Sequence, residues 1–146
     1  MKVKVEIRIQ KDIEEPYAVL YAAEMTDEMT QVIAMLEGMQ SKVITVLEEE
    51  RMIVLKPEEI YLVRVEDDKT MIYGQSKKYV SRKRLYELEQ ILGTGFMRIS
   101  KSSLINLQYL DYVEPSFGGM MLKLKNQLQD YASRKYLPEL RKYLGL

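Results

Sequence analysis

Beyond Lys42 the chain is cut into short apolar runs by closely spaced turns, and this punctuation constrains its fold more than any other feature. Residues 43–47 and 52–55 flank Glu48-Glu49-Glu50-Arg51, the pattern of a hairpin with a charged turn. Pro57-Glu58-Glu59 leads into an apolar run over 60–65, and Asp67-Asp68-Lys69 reverses the chain into 70–74. Residues 77–80 and 109–113 are further short strands. The turn Pro115-Ser116-Phe117-Gly118-Gly119 supplies glycines for positive φ, and Met120, Leu122 and Leu124 then alternate with Met121, Lys123 and Lys125. Asn126-Gln127 turns the chain into a last strand ending at Ala132. Strands this short, joined this tightly, close as antiparallel sheets, so the predicted class is mainly β within α+β.

Three helices interrupt the strands. Thr26 or Asp27 caps the first, in which Met29, Val32, Ile33, Leu36 and Met39 recur at spacings of three and four, with Gly38 and Ser41 at its end. Ser81 is the expected cap of the second; Leu85, Leu88, Ile91 and Leu92 form its stripe, and Gly93 stops it. The third turns Leu137, Leu140 and Leu144 inward and opens near Pro138, which lacks an N–H to donate. Ahead of the first helix, Val3, Val5, Ile7 and Ile9 alternate with Lys2, Lys4, Glu6 and Arg8, and residues 17–23 are more continuously apolar. Residues 1–40 therefore read as a strand-strand-helix extension, either packed on the main body or used for dimerisation, and residues 41–146 as the main domain.

Composition limits the chemistry. The chain has 146 residues and is 47% hydrophobic, enough for one domain with a real core. No run approaches a membrane span and Met1-Lys2-Val3-Lys4 does not begin a signal peptide, so a cytoplasmic location is expected. Cysteine and histidine are both absent, which removes disulfides, thiol nucleophiles, Ser-His triads and Cys/His zinc sites. No cofactor, metal, small-molecule substrate or enzymatic activity is expected. A net charge of zero conceals a division: residues 1–68 hold 8 Lys+Arg against 16 Asp+Glu, and residues 69–146 hold 14 against 6. Separation on that scale makes one face positive and points to an anionic partner.

The candidate contact segment is Phe96-Met97-Arg98-Ile99-Ser100-Lys101-Ser102-Ser103-Leu104-Ile105-Asn106. Its apolar ends can enter a core, whereas Arg98, Lys101, Ser102 and Ser103 cannot all be buried cheaply. Two cations and several hydroxyls on a braced loop suit phosphate oxygens and base edges. Lys69-Thr70 and Ser133-Arg134-Lys135-Tyr136 repeat the pattern at other strand ends. Arg82, Lys83 and Arg84 add a cluster in the first turn of the second helix, where the dipole disfavours cations. An ordinary polar turn, or a basic half that docks an acidic protein partner, fits the same residues; a carboxylate-dependent hydrolase is disfavoured by the few acids beyond residue 68.

From about Ser41 to Leu146 the chain resembles a LytTR-type DNA-binding domain. The resemblance rests on Phe96, Arg98, Ser100, Lys101, Ser102, Leu104, Ile105 and Asn106, with Ile60-Tyr61-Leu62 before an Asp-Asp turn, Leu85-Tyr86-Glu87-Leu88-Glu89, and Ser133-Arg134-Lys135-Tyr136 followed by Leu137 and Leu140. Arg64 stands where the family pattern favours an acid. The resemblance implies stacked antiparallel sheets and double-stranded DNA gripped by loops that enter the major groove, in a transcriptional regulator. It assigns DNA contacts to Lys69, Thr70, Arg98, Ser100, Lys101, Ser102, Arg134 and Lys135, and a structural role to Asn106. A homodimer and a regulatory membrane-protein partner are further expectations. Residues 1–40 are too short for a phosphoacceptor receiver, so no aspartyl-phosphate switch is expected on this chain.

Overall fold

A computed structural model describes residues 2–37 and 42–146. The chain falls into two units, residues 1–39 and 40–146.

In the larger unit the tight turns produce ten strands in three antiparallel sheets. β1 (Ile44–Glu48) and β2 (Arg51–Leu55) form the first hairpin, turning at Glu49 with φ 59°. The central sheet has the order β5-β4-β3-β7-β6, from β3 (Leu62–Glu66), β4 (Lys69–Tyr73), β5 (Lys78–Ser81), β6 (Phe96–Arg98) and β7 (Ser103–Asn106). The third sheet is β10-β9-β8, from β8 (Leu110–Ser116), β9 (Gly119–Leu124) and β10 (Gln129–Ala132). The β3–β4 reversal places Asp67 at φ 48° and Asp68 at φ 63°. Two consecutive left-handed residues are what a two-residue hairpin needs to follow the strand twist, and aspartate tolerates that region better than most side chains.

The central sheet is covered on both faces, and the period of two decides which residue goes where. Val63 and Leu104 enter one core with Ile44, Val46, Leu55, Ile72 and the Leu85, Leu88 and Leu92 stripe of α2 (Leu85–Leu92). Their neighbours Leu62 and Ile105 enter the other, with Ile99, Leu122, Leu124, Ala132 and Leu140 of α3 (Leu137–Leu144). A sheet buried on both faces has no polar side, which explains the unbroken apolar pairs Leu62-Val63 and Leu104-Ile105. The expected stacked antiparallel sheets and the two helices of this unit are therefore present.

Ser81 does not cap α2. It ends β5, where its Oγ accepts from the Lys83 N–H at 3.1 Å. The helix starts four residues later, at Leu85, and the Glu87 carboxylate accepts from the Arg84 N–H at 3.1 Å. A serine hydroxyl reaches two residues as readily as three, so the tighter turn claims it. Gly93, at φ 60°, terminates the helix as expected.

The smaller unit departs from expectation. Its helix, which we number α1 (Asp27–Glu37) as the first in the chain, is present, with Thr26 Oγ1 accepting from the Met29 N–H at 3.2 Å. Residues 2–26 contain no strand, so the predicted strand-strand-helix becomes a helix preceded by irregular chain. Alternation endows a segment with a face to bury but not with the neighbour that completes its hydrogen-bond ladder, and one strand alone does not persist. The expected helix end at Met39, Gly38 and Ser41 lies outside the described residues.

Leu140 is fully buried where α3 closes the second core, whereas Phe117 stands fully exposed at the β8–β9 tip. Leu140→Ala is expected to lower stability by about 2–5 kcal/mol, and Phe117→Ala to leave it within about 0.5 kcal/mol, measured by urea unfolding.

Candidate nucleic-acid interface

The three basic segments come together through the main chain. The Val65 N–H donates to the Ser102 carbonyl at 2.9 Å, seating the 99–102 loop against β3, whose hairpin sets Glu66 opposite Lys69. On the other side of that loop the Ser133 N–H donates to the Ile99 carbonyl at 2.9 Å, which brings the turn of 3-10 helix at Arg134–Tyr136 alongside. Two hydrogen bonds thus link the Lys69 end, the Lys101 loop and the Arg134-Lys135 turn into one edge.

The middle loop is braced internally. Ser100 Oγ accepts from the Ser102 N–H at 3.2 Å and lies 3.4 Å from Ser102 Oγ, and the Ile99 N–H donates to the Ser103 carbonyl at 3.0 Å. Ile99 is fully buried and anchors the loop, while Lys101 and Ser102 are exposed. Arg134 is exposed, and its Nε donates to the Gly118 carbonyl at 3.3 Å. Gly118 has φ +73°, which favours glycine; a Cβ there would also meet the Arg134 guanidinium at 2.8 Å, and the end of that flexible side chain would have to shift. Lys135 Nζ lies 5.6 Å from the Tyr136 ring centroid.

Two expected contact residues are placed differently. Thr70 is only 9% exposed and stands between Val65 and Ser81 in the sheet, so its side chain packs rather than reaching outward. Its neighbour Lys69 takes the outward position by strand alternation. Arg98 is half-buried, with Nε 3.5 Å from Glu89 Oε2 of α2, an ion pair that braces β6 against the helix. Asn106 has the expected structural role: it is 4% exposed, donates from Nδ2 to the Ile60 carbonyl at 2.9 Å, and accepts at Oδ1 from the Gln108 N–H at 3.1 Å.

Behind the edge lies a polar group that sequence reading did not single out. Asp130 Oδ2, on β10, accepts from Ser103 Oγ at 2.5 Å and lies 3.3 Å from Arg64 Nη1 on β3. Arg64 also pairs with Glu66 at 2.9 Å, and the Tyr73 hydroxyl donates to Glu66 at 2.7 Å. The Tyr73 hydrogen bond first, and then Arg64, hold the Glu66 carboxyl below the usual carboxylate range despite an opposing desolvation cost. Burial and that same bond push the Tyr73 phenol up. For Arg64, burial alone would lower the pKa, but Tyr73, Asp130 and Glu66 together outweigh it and hold the guanidinium above its ordinary value. The sequence signal was Arg64 itself, a cation in an apolar strand at a position where the resemblance favours an acid.

Residues 50–145 match the LytTr DNA-binding domain family, and the chain belongs to it. Among curated proteins it is 25% identical over 146 residues, 98% of this chain and 99% of the relative, to an uncharacterised HTH-type transcriptional regulator of Staphylococcus aureus. It is 30% identical over 112 residues to the sensory transduction protein LytT of Enterococcus faecalis, covering 75% of this chain and 46% of LytT. A solved LytTr DNA-binding domain from Bacillus cereus superposes with a TM-score of 0.67 at 21% identity, covering 72% of this chain and 98% of that one, and so shares its fold. In the present chain five strands separate α2 from α3, so those two helices do not form a helix-turn-helix pair. The family is one of DNA binding rather than catalysis, and no helix among the described residues is long and apolar enough to cross a membrane.

The depressed Glu66 pKa has a definite sign. Its folded value lies below its unfolded one, so its stabilisation is complete above about pH 4.5 and is lost as pH falls through the folded value. Glu66→Gln is expected to be less stable than wild type at neutral pH, with the difference shrinking in acid; a difference that grows on acidification would contradict this. Asp130→Ala leaves the Ser103 hydroxyl without its acceptor and removes one of the two carboxylates paired with Arg64, and is expected to cost about 1–3 kcal/mol in urea unfolding.

Proposed function

We propose that this chain is a transcriptional regulator that binds double-stranded DNA site-specifically, with the edge formed by Lys69, the 100–102 loop and the 134–135 turn entering the major groove. The observation that carries the proposal is the pair of main-chain hydrogen bonds, Val65 to Ser102 and Ser133 to Ile99, that gathers three cation-bearing segments on one edge. Lys69, Lys101, Arg134 and Lys135 are exposed there, with the Ser100 and Ser102 hydroxyls between them. Such a set supplies charge for phosphates and short donors for base edges. Thr70 and Arg98 are assigned to the scaffold, Thr70 by burial and Arg98 by its pairing with Glu89. Family membership and the regulators among the relatives support the same reading.

Selection of bound sequences from a random duplex pool tests the reading. Enrichment of a defined motif is expected; failure to enrich any, together with salt-sensitive capture of acidic proteins, would favour the basic half as a protein-docking surface instead. On the selected site, about five phosphate contacts give a log–log salt slope near −4 to −5. Lys101→Ala, Arg134→Ala and Lys135→Ala are each expected to weaken binding. A residue reading a base costs about 1–3 kcal/mol and relaxes preference at one position, whereas a phosphate contact weakens all sequences alike. Wild-type affinity in all three variants would remove this edge from the interface.

A further inference from the structure

Residues 2–37 fully bury no side chain. Val5, Ile7 and Ile9 are 76%, 79% and 87% exposed, and the apolar stripe of α1 reaches only half-burial at Met29, Val32 and Ile33. On the polar side, Lys4 Nζ lies 3.3 Å from Glu6 and Arg8 Nη2 lies 3.9 Å from it, so these three charges share a side. The segment therefore presents an apolar row and a charged row, and no strand among the described residues pairs with it, up to the turn closed by the Ile13 N–H on the Gln10 carbonyl. A row of that kind is completed by an added strand.

The charges select which strand. In antiparallel self-pairing, registers that oppose even with odd positions set apolar residues against charged ones and are excluded. Centring on Val5 sets Lys2 opposite Arg8; centring on Glu6 sets Glu6 against itself and Lys4 against Arg8; centring on Arg8 sets Arg8 against itself. Centring on Ile9 opposes Glu6 to Asp12, and parallel in-register pairing opposes every charge to its own copy. Centring on Ile7 gives Glu6 opposite Arg8, Val5 opposite Ile9 and Lys4 opposite Gln10, each twice by symmetry, with no like-charge pair. Opposite charges facing across a ladder stabilise it and like charges destabilise it. A two-fold contact repeats every pair, so each advantage counts double.

We propose that residues 4–10 pair with the same residues of a second copy as an antiparallel ribbon centred on Ile7, making this segment the dimer interface. The occupant is a second copy rather than another protein because the segment is its own electrostatic complement in this one register. The proposal is independent of how the larger unit contacts DNA.

Sedimentation of the full-length chain over a dilution series, without DNA, tests it. Wild type is expected to form a concentration-dependent dimer. Glu6→Arg sets the introduced arginine against Arg8 of the other copy twice, and Arg8→Glu sets the introduced glutamate against Glu6 twice. Each change alone is therefore expected to raise the dimer dissociation constant at least about tenfold. An equimolar mixture of the two variants restores every opposite-charge pair and is expected to form a heterodimer near wild-type affinity. Both changes are on exposed side chains, and an unchanged thermal transition confirms the fold. A monomeric wild type, a dimer indifferent to both reversals, or a mixture that fails to recover would each overturn the proposal. So would a chain that is monomeric alone and gains amide protection over residues 4–10 only with detergent-solubilised membranes, which would make the occupant a membrane protein. DNA affinity measured on the same variants separates this outcome from failure of the DNA-binding reading.

Discussion

The Asp130 carboxylate joins the three-stranded sheet to the five-stranded one. It projects from β10 and takes the Ser103 hydroxyl of β7 and the Arg64 guanidinium of β3, with its side chain only 15% exposed. At this seam water competes weakly, so the contacts are stronger than on an open surface, and an unmet partner is correspondingly costly. Ser103 directly follows the 100–102 loop and Asp130 lies shortly before the 134–135 turn. The seam therefore sets the distance between two of the basic segments. Glu66 and Tyr73 extend the group to the hairpin that ends in Lys69.

Much of the larger unit is legible in the sequence because its turns are explicit. Asp67-Asp68 and Phe117-Gly118 mark hairpins by conformational preference, and the apolar pairs Leu62-Val63 and Leu104-Ile105 mark strands covered on both faces. The exposure of Lys101 and Arg134 on their loops is also legible, since cations between apolar anchors are costly to bury. Thr70 is not: its place after a charged turn suggests exposure, but strand parity turns it inward beside Ser81 and turns Lys69 out. The ion pair of Arg98 is not legible either, because its partner, Glu89, lies nine residues away on a helix, and spacing alone cannot show that a strand will return beneath it.

The first 26 residues mislead in another way. Their alternation marks a face requiring cover, but it does not make a strand already formed. Hydrophobic period specifies what a segment can bury, while a ladder requires a neighbouring edge, and among the described residues none pairs with residues 2–26. The same distinction applies to Asp130 and Arg64: Arg64 stands out as a cation in an apolar strand, but its partner on another sheet is fixed only when the two sheets meet.

One consequence follows from how the basic edge is held. Ser102 and Ser133 are fixed there through a carbonyl and an N–H, main-chain groups that every residue except proline supplies. Buried Ile99 and the Asp130 seam position the edge from behind, and Lys101 and Lys135 carry none of that load. Lys101 and Lys135 can consequently be exchanged without disturbing either core. If the proposed edge is the DNA contact, target preference and folding are written in separate sets of residues, and a lineage of such chains can acquire new binding sites by drift at a few exposed positions while its sheets stay as they are.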